Sequence, residues 1–494
     1  MASLEEIRIE RLKKLAILRE KGIDPYPAKT LVDMTVREAI DSFGELEKNG
    51  KTIVLAGRIL AIRLQGEIAF IDLYDGTARF QVLLKSDVIG KDSLQLFADT
   101  IDIGDFIEAE GEVFTSKRGE KTLAATRWSI LSKSLRPLPE KWHGLQDIEE
   151  RLRRRYLDIL LNPEVRDMVE KRSQFWSAIR GFLLERGFVE VETPVLENTT
   201  GGAEARPFST HHNALDMEVF LRISPELWLK RLIAAGLPRV FEIGRVFRNE
   251  GMDAEHLQDY TALEFYQAYY DYEEGMEMVT ELFRHIADTV FGTRKFSIRG
   301  FEVDFDKEWE IYDYTEIIKE NTGIDIRTAK LEEMEEKLQT LGVAYDKNGF
   351  NIARATDNLW KYCRKSLAGP GFLVGVPVTM EPLAKRVAND QDLVQRFQPI
   401  IAGSELGKGF SELNDPVDQA GRFAEQAKLR AAGDEEAQMT DEDFVETMEY
   451  GMPPIFGFGF SERVFSFLMD KPMRETQIFP LMRPKKYGPP GQAL

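Results

Sequence analysis

Cysteine is nearly absent from this sequence. Its 494 residues contain one, Cys363, which excludes an internal disulfide framework and any metal site built from several thiolates. The five histidines show no His-x-x-x-His spacing, so a zinc site based on a histidine pair is not expected. A single thiol fits a reducing compartment, and we expect the protein to be cytoplasmic.

Long apolar runs are also missing. No stretch is long enough to cross a bilayer, which excludes an integral membrane protein with helical spans. The opening "MASLEEIRIERLKKLAILREKGIDPYP" lacks the basic-then-apolar layout of a secretory signal, and its acids argue against a transit peptide. We interpret residues 1–50 as a helical extension.

Positive charge is in short supply. The net charge of −19 and the isoelectric point near 5.0 argue against non-specific coating of a polyanion, but they leave room for a local basic site. The densest basic cluster is "RLRRR", residues 151–155, which is either a solvated helix face or an RNA contact. The length predicts two or more domains.

Short alternating strands fill residues 51–135. Five of them, with Asp75-Gly76 as a tight-turn signal, predict a small Greek-key barrel of the oligonucleotide-binding (OB) type. Two prolines and a glycine in "SLRPLPEKWHGLQD" then mark a boundary, and we assign residues 136–165 to a linker and hinge helix.

Strands and helices mix without βαβ rhythm in residues 166–494. Since neither Gly-x-Gly-x-x-Gly nor a P-loop is present, we predict an antiparallel sheet with flanking helices, and an α+β chain overall.

One candidate site is the predicted hairpin "PRVFEIGRVFRNEGMDAEHLQDYTALEFYQAYYDY". In its second strand Glu264 and Tyr266 share a face, which lies either in solvent or in a pocket for a cationic ligand. In the loop, Arg248 can fork onto a phosphate, and Glu250 and His256 can accept or donate hydrogen bonds to a nucleotide.

Three further segments carry acids or glycines. In "LRISPELWLKRL", Ser224 is a candidate N-cap and Glu226 falls in the first helical turn, where an acid also stabilises a helix without any ligand. In "AGSELGKGFSELNDP", Glu405 and Glu412 reach one site, such as a Mg²⁺ site, only if a glycine bulge shifts the register. In "GFGFSERVF", strand glycines before Arg463 indicate either close packing or a surface for adenine.

Taken together and in order, these segments resemble the class II aminoacyl-tRNA synthetases, specifically the lysyl type. "GFVEVETPVL" resembles motif 1, with Pro194 in a dimer interface; "FRNEGMDAEH…YTALEFY" resembles motif 2; and "GFGFSERVFSFL" resembles motif 3. The segments "REKGIDPYP", "GGAEARPFSTHHNALDMEVFLRISPELWLKRL" and "FSELNDPVDQAGRF" resemble the lysine enzyme more than its aspartyl and asparaginyl relatives.

The resemblance implies an N-terminal anticodon-binding OB barrel and a catalytic antiparallel sheet in a homodimer. It implies ATP-dependent attachment of L-lysine to tRNA(Lys) through a lysyl-adenylate, with Mg²⁺. By resemblance, Arg248 and Arg463 would be catalytic and would clamp the phosphates of ATP. The other implied ATP contacts are Glu250, His256, Tyr260 and Glu405.

The remaining implied residues fall into three groups. The implied lysine-binding residues are Gly202, Glu226, Glu264, Tyr266 and Glu412, and the implied metal ligands are Glu405 and Glu412. The implied anticodon contacts are Arg63, Phe70, Gln81 and Glu120, with barrel core as the alternative for Phe70.

Three positions depart from the family pattern. Gln398 stands where a second Mg²⁺-binding Glu is common, and Lys408 stands where an Asn commonly contacts the substrate lysine. Motif 3 is one glycine and one residue short. Lys408 would repel a cationic ligand unless it turns away or pairs with an acid. The alternatives are a synthetase-like binding protein without adenylation, and ligation of lysine to a protein, which the barrel disfavours.

Overall fold

The computed structural model describes residues 3–139, 145–251, 253, 255–345, 350–431 and 437–484. Its described residues fall into two compact units, the first within residues 1–161 and 482–494 and the second within 162–481. Part of the predicted linker, including His143, lies outside the described residues. The domain bounds given above remain predictions.

The first unit contains a closed barrel in the order β1-β2-β3-β5-β4, five strands within the described residues. Their bounds are β1 Ile53–Gln65, β2 Ile68–Tyr74, β3 Arg79–Lys85, β4 Phe106–Thr115 and β5 Lys121–Ser132. The strands β3 and β5 pair in parallel and the other neighbours are antiparallel. The predicted OB-type barrel is therefore confirmed.

Alternation of side chains explains which barrel residues are outside. In β2, Ala69, Ile71 and Leu73 are buried in the barrel core. Because successive strand residues point to opposite faces, Phe70 and Asp72 lie on the outer face. Phe70 is only partly buried and is not among the core residues, so the barrel-core alternative for Phe70 is wrong.

The helices of the first unit precede β1, lie between β3 and β4, or follow β5 in the sequence. Their bounds are α1 Leu4–Glu20, α2 Val36–Asp41, α3 Phe43–Asn49, α4 Ser86–Ile89, α5 Lys91–Thr100, α6 Ile148–Arg153 and α7 Arg155–Leu161. The helix α1 begins with a capping box in which Ser3 accepts from the backbone of Glu6 and the Glu6 carboxylate accepts from the backbone of Ser3.

The arginine cluster of α6 and α7 is paired with acids. Arg155 is 3% exposed and lies 2.7 Å from Asp158, and Arg151 lies 2.9 Å from the same carboxylate group. Arg154 lies 3.3 Å from Glu150. The interpretation as a solvated face is wrong for Arg155, and these contacts weaken the RNA interpretation of the cluster.

The second unit is built on a sheet in the order β14-β15-β18-β20-β21-β11-β10-β6, with β19 paired to β18, nine strands in the described residues. It is antiparallel except for the pairs β6–β10 and β14–β15. The bounds are β6 Val189–Glu190, β10 Arg239–Phe247, β11 Asp259–Ala268, β14 Glu310–Asp313, β15 Gly371–Val374, β18 Arg396–Ile401, β19 Ser404–Glu405, β20 Lys408–Ser411 and β21 Ile455–Ser461.

Smaller strand groups and helices surround this sheet. The strands are β7 Leu196–Glu197, β8 Phe208–His212, β9 Met217–Leu221, β12 Lys295–Ile298, β13 Phe301–Asp304, β16 Arg386–Val387 and β17 Asp390–Val394. The helices are α8 Pro163–Glu185, α9 Glu226–Ala234, α10 Tyr272–Ile286, α11 Tyr314–Thr322, α12 Leu331–Thr340, α13 Ile352–Cys363, α14 Pro416–Ala431, α15 Glu442–Glu449, α16 Arg463–Leu468 and α17 Met473–Thr476. The predicted α+β class is confirmed.

Phenylalanine and glycine alternate along β21. On one face, the ring of Phe458 lies 5.7 Å from Phe265 and stacks 5.7 Å from Phe397, forming an aromatic layer under the sheet. The opposite face carries Gly457 and Gly459 and is open to a cavity. The alternation therefore places the hydrophobic core on one side of the strand and the cavity on the other.

Candidate active site

A cavity of about 550 Å³ opens on the glycine face of β21 in the second unit. The structure brings nine of the predicted site residues to its wall. They are Gly202, Glu226, Arg248, Tyr260, Glu264, Tyr266, Glu405, Glu412 and Arg463.

The hairpin β10–β11 contributes an acid and a phenol. Glu264 and Tyr266 share a face, and this face lines the cavity, which decides against the solvent alternative. The Tyr266 hydroxyl donates to Glu264 Oε2 over 3.2 Å. Burial and the neighbouring charge of Glu226 raise the pKa of Glu264 to about 8, although Tyr266, Lys408 and Arg248 act in the opposite direction. Glu264 therefore holds its proton to a higher pH than an ordinary carboxyl group does.

The two glycines of β21 leave room for these side chains. A Cβ at Gly459 would come within 2.4 Å of the Glu264 carboxylate, and a Cβ at Gly457 would come within 2.2 Å of Glu412. The packing alternative for these glycines is supported, because their neighbours are the side chains of the cavity wall, and the adenine surface stays a prediction.

Helix α9 positions Glu226 together with a lysine that the sequence analysis did not single out. The helix begins at Glu226, its N-cap is Pro225 rather than the predicted Ser224, and Ser224 Oγ accepts from the Glu226 backbone over 3.2 Å. Lys230 lies one helical turn later and 1% exposed, with its Nζ 2.6 Å from Glu226 Oε1.

Lys230 also forms an ion pair with Glu412, which is 1% exposed. Burial alone would lower the pKa of the Lys230 ammonium, but the two carboxylates raise it above its ordinary value. Burial raises the pKa of Glu412 well above its ordinary value, and the Glu226 charge adds to the effect while Lys230 opposes it. One ammonium is thus shared by two buried acids.

Glu405 and Glu412 reach the same cavity because the strand that carries Glu405 ends before the next strand begins. Glu405 ends β19, Gly407 adopts φ +125°, and β20 follows before Glu412. A Cβ at Gly407 would lie 2.7 Å from the ring of Phe458, so the break depends on glycine. The expected shift of register at a glycine is observed.

The acids of the cavity do not form a cluster of three or more possible metal ligands in the described residues. No three His, Cys, Asp or Glu side chains that could hold a metal ion come together in the described residues. The pairing with Lys230 argues against Glu412 as a metal ligand. Glu405 remains, with its Oε1 accepting from Trp360 Nε1 over 2.5 Å, and Gln398 on β18 is 8% exposed.

Lys408 pairs with an acid that the sequence analysis did not identify. Its Nζ lies 2.8 Å from Oε2 of Glu381, which is 2% exposed, and Arg396 Nε lies 3.4 Å from the same oxygen. Burial would raise the pKa of Glu381, but Lys408 and Arg396 hold it below its ordinary value. The charge of Lys408 is therefore balanced within the chain.

Arg248 and Tyr260 occupy the hairpin side of the cavity. The Arg248 guanidinium carbon lies 5.7 Å from the centre of the Tyr260 ring, and Arg248 Nε is a buried donor without a hydrogen-bond partner among the described residues. Arg463, at the start of α16, forms an ion pair with Glu255 of the β10–β11 loop.

Glu250 and His256 are not part of the cavity wall. Both lie on the β10–β11 loop, where Glu250 is exposed and His256 Nδ1 is 2.8 Å from Asp253 Oδ2. Their predicted contacts with ATP remain predictions that require the loop to approach the nucleotide.

A second cavity, of about 480 Å³, lies on the outer face of the barrel in the first unit. All four predicted anticodon contacts line it: Arg63, Phe70, Gln81 and Glu120. Arg63 lies 5.9 Å over the Phe70 ring, and Thr122 donates to Gln81 Oε1 over 3.1 Å, which leaves the Gln81 amide nitrogen for another partner. An aromatic face beside a cation suits an unstacked base.

Comparison with known proteins assigns the chain to a family. A profile described as "tRNA synthetases class II (D, K and N)" matches residues 147–483, and one described as "OB-fold nucleic acid binding domain" matches residues 53–131. The chain belongs to the class II tRNA synthetases. It is 44% identical to the lysine–tRNA ligase of Thermotoga maritima, over 98% of this chain and 97% of that protein.

Other relatives of this synthetase carry the same name. The lysine–tRNA ligase of Roseiflexus castenholzii is 44% identical over 98% of this chain and 100% of that protein. The lysine–tRNA ligase of Pelotomaculum thermopropionicum is 44% identical over 98% of this chain and 96% of that protein.

Two buried charges of this synthetase were missed for different reasons. Lys230 follows Glu226 by four residues on a helix, a spacing that predicts an ion pair and was available in the sequence. Glu381 lies 27 positions before Lys408, and no local pattern links them. Their contact depends on the fold.

Replacing Lys230 with Met would leave two buried carboxylates without their cation. We expect Lys230→Met to lower the free energy of unfolding by about 3–5 kcal/mol, as is usual for a broken buried pair. The matched control is Lys171→Met, which removes a surface i,i+4 pair with Asp167 and should cost at most about 1 kcal/mol. Urea denaturation measures both.

The loss should also depend on pH. Without the ammonium, the folded-state pKa of the Glu412 carboxyl stays above the unfolded value, so the folded state binds more protons and loses stability as pH rises. We expect Lys230→Met to be more destabilising at pH 8 than at pH 6. If Lys230→Met and the control lost the same free energy of unfolding at both pH values, Lys230 would not be the counter-charge of Glu226 and Glu412.

Proposed function

We infer that this synthetase attaches L-lysine to tRNA(Lys) in an ATP-dependent reaction through a lysyl-adenylate. The observation that carries the inference is the set of acids in the cavity of a class II catalytic unit: Glu226 and Glu412, which are buried, and Glu264, which is partly buried. Within a family described for aspartate, lysine and asparagine, an acidic cavity favours the cationic side chain. The identity to lysine–tRNA ligases over nearly the whole chain agrees with this choice.

The reaction has two steps. In the first, the lysine carboxylate attacks the α-phosphorus of ATP, a new oxygen–phosphorus bond forms, and pyrophosphate leaves. In the second, a hydroxyl at the 3′ end of tRNA(Lys) attacks the activated carbonyl carbon, an ester forms, and AMP leaves. Both steps depend on orientation and on stabilisation of phosphate charge by groups already in place.

Arg248 and Arg463 are the proposed catalytic residues because both present guanidinium groups to the cavity. The partnerless Nε of Arg248 is a donor suited to a phosphate oxygen. Tyr260, whose pKa is raised by burial, offers its ring to adenine. Glu250 and His256 would contact ATP from the β10–β11 loop.

Glu264 is the proposed partner of the substrate's side-chain ammonium. Lys230 already balances Glu226 and Glu412, and Lys408 already balances Glu381. An incoming ammonium would lower the pKa of Glu264 and form an ion pair there, with Tyr266 beside it. Gly202, at φ +81°, lines the same cavity and would lie beside the backbone of lysine, and a Cβ there would meet Glu226 at 2.7 Å.

Glu405 is the proposed Mg²⁺ ligand because it lines the cavity without a buried lysine beside it. A bound Mg²⁺ would neutralise part of the phosphate charge of ATP. Gln398 offers only a neutral oxygen, so we expect fewer protein ligands to the metal than two carboxylates would give.

The other parts of the chain have proposed roles in the same reaction. Residues 51–135 would bind the anticodon through Arg63, Phe70, Gln81 and Glu120, and residues 166–494 would form the catalytic domain. A homodimer is supported by exposed apolar residues, with Val189 on the edge strand β6 at 47% and Leu196 on β7 at 48% exposed. No helix in the described residues combines the length and hydrophobicity of a membrane span, and we propose a cytoplasmic location.

A synthetase-like binding protein without adenylation is the second candidate, and Gln398 is the observation that favours it. Lys408 no longer supports it, because Glu381 balances that charge.

ATP–pyrophosphate exchange separates these candidates. With Mg²⁺ present, the purified protein should exchange pyrophosphate into ATP with lysine, and not with aspartate, asparagine or no amino acid. Exchange with none of the three amino acids, from folded protein, would leave the binding protein as the better account.

The pair of Glu381 and Lys408 gives a second test. In Glu381→Gln, the freed Lys408 ammonium would turn to Glu264 and compete with the substrate, so we expect the KM for lysine to rise about tenfold, equivalent to about 1.4 kcal/mol. The double variant Glu381→Gln, Lys408→Gln should recover most of the loss. Lys428→Gln, at a surface pair with Glu425, is the control. A double variant no better than Glu381→Gln alone would refute the competition.

A further inference from the structure

Two arginines from separate parts of the second unit form ion pairs with Glu255 in the described residues, and the charge of a third acts on the same carboxylate. Arg463 forms an ion pair with Glu255 Oε2, and Arg299 Nη1 lies 2.5 Å from Glu255 Oε1. Arg364 is close enough to act on the same carboxylate, since its charge contributes to lowering the pKa of Glu255. Arg299 lies between β12 and β13, and Arg364 follows α13 directly. We call Arg299, Arg364 and Arg463 the arginine cluster.

The arginine cluster has hydrogen-bond donors to spare. Arg463 Nε and Arg364 Nε are buried and have no hydrogen-bond partner among the described residues. The nearest acid oxygen to Arg364 Nε is Glu405 Oε1, at 3.9 Å, which is beyond hydrogen-bond distance. Buried donors are normally satisfied, so two partnerless Nε atoms, one of them on Arg463 at the cavity wall, indicate a missing acceptor.

The local charge points the same way. Arginines remain protonated in proteins, so the cluster carries three positive charges, while Glu255 and Glu405 supply two negative ones. Burial would raise the pKa of Glu255, but Arg463, Arg299 and Arg364 hold it below its ordinary value, which keeps Glu255 ionised. The cluster thus has one carboxylate firmly in place and an excess of positive charge.

We propose that Arg299 and Arg364 join Arg463 in binding the pyrophosphate part of ATP, and that Glu255 is the internal anion that occupies this site before ATP arrives. This rests on the proposed function, since it deepens the ATP site. A guanidinium fork matches phosphate oxygens as well as it matches a carboxylate. Exchanging Glu255 for the two phosphates keeps the guanidinium groups paired in both states and fills the two unsatisfied Nε donors.

The position of Glu255 suits a displaceable group. It lies on the β10–β11 loop and is 23% exposed, whereas Arg463 starts a helix against β21 and Arg364 donates to the Gly403 backbone over 2.6 Å. The anion is therefore on a loop, whereas Arg463 and Arg364 are held by a helix start and a backbone hydrogen bond, and Arg299 lies in the turn between β12 and β13. The cluster also supplies fixed positive charge where Gln398 leaves fewer carboxylates for a metal ion.

Equilibrium binding of inorganic pyrophosphate to the full chain tests this proposal. Titration calorimetry in buffer with EDTA measures the side chains alone, and AMP serves as the comparison ligand because it lacks the leaving phosphates. We expect Arg299→Gln and Arg364→Gln each to weaken pyrophosphate about tenfold or more, with AMP changed less than about twofold, as hydrogen bonds between charged groups are strong.

Glu255→Gln distinguishes a placeholder from a positioning residue. If Glu255 occupies the site, its removal should tighten pyrophosphate binding about fivefold or more and lower the KM for ATP, since the competing charge is gone. Weaker binding would mean that Glu255 holds Arg463 in place, and it would overturn the placeholder role. Arg294→Gln, an arginine paired with Asp288 and Asp306 away from the cluster, is the control and should change neither ligand.

Equal effects of Arg299→Gln on pyrophosphate and AMP, or no effect on either, would overturn the pyrophosphate site. Arg299 is 41% exposed in its side chain, so this variant is expected to fold even if Arg364→Gln does not. The measurement needs neither lysine nor turnover. A protein that binds pyrophosphate as predicted but shows no lysine-dependent exchange would refute the proposed function alone.

Discussion

The alternation of phenylalanine and glycine along β21 is the constraint on which the candidate site depends. Phe458 and its neighbours fill the aromatic layer on one side of the sheet, which fixes the strand. On the other side, Gly457 and Gly459 leave the space that the carboxylates of Glu412 and Glu264 occupy. Any larger residue at the two glycines would collide with those carboxylates. The two acids can therefore line the cavity only because β21 has no side chain at these positions.

Burying several acids requires internal counter-charges. Three of the acids have a lysine partner, and the fourth has only a hydroxyl group. Lys230 is buried between Glu226 and Glu412, and Lys408 reaches Glu381 from the rim of the cavity. Glu264 is left with a phenol as its hydrogen-bonding neighbour, and its pKa is raised to about 8. Of these four acids, Glu264 alone has no ion pair with a lysine in the described residues, and a substrate ammonium would ionise it.

Much of the fold follows from patterns along the chain. The barrel and the β10–β11 hairpin are visible as alternating strands, and the face shared by Glu264 and Tyr266 follows from a period of two. The resemblance to the family predicts nine residues that the fold brings to one cavity. Contacts between distant segments could not be predicted in this way: Glu381 with Lys408 and Glu255 with Arg299 depend on which strands and loops become neighbours. The solvent-facing positions of Glu250 and His256 also belong to the folded loop rather than to any sequence pattern.

We expect Glu264 to be protonated before lysine binds and to become the anion that pairs with lysine. Titration calorimetry of lysine at pH 7, in two buffers of different ionisation enthalpy, measures the protons released on binding. Since Glu264 would lose its proton when lysine binds, we expect release of about one proton per lysine by the unaltered protein and almost none by Glu264→Gln. Lysine binding without proton release by the unaltered protein would contradict it.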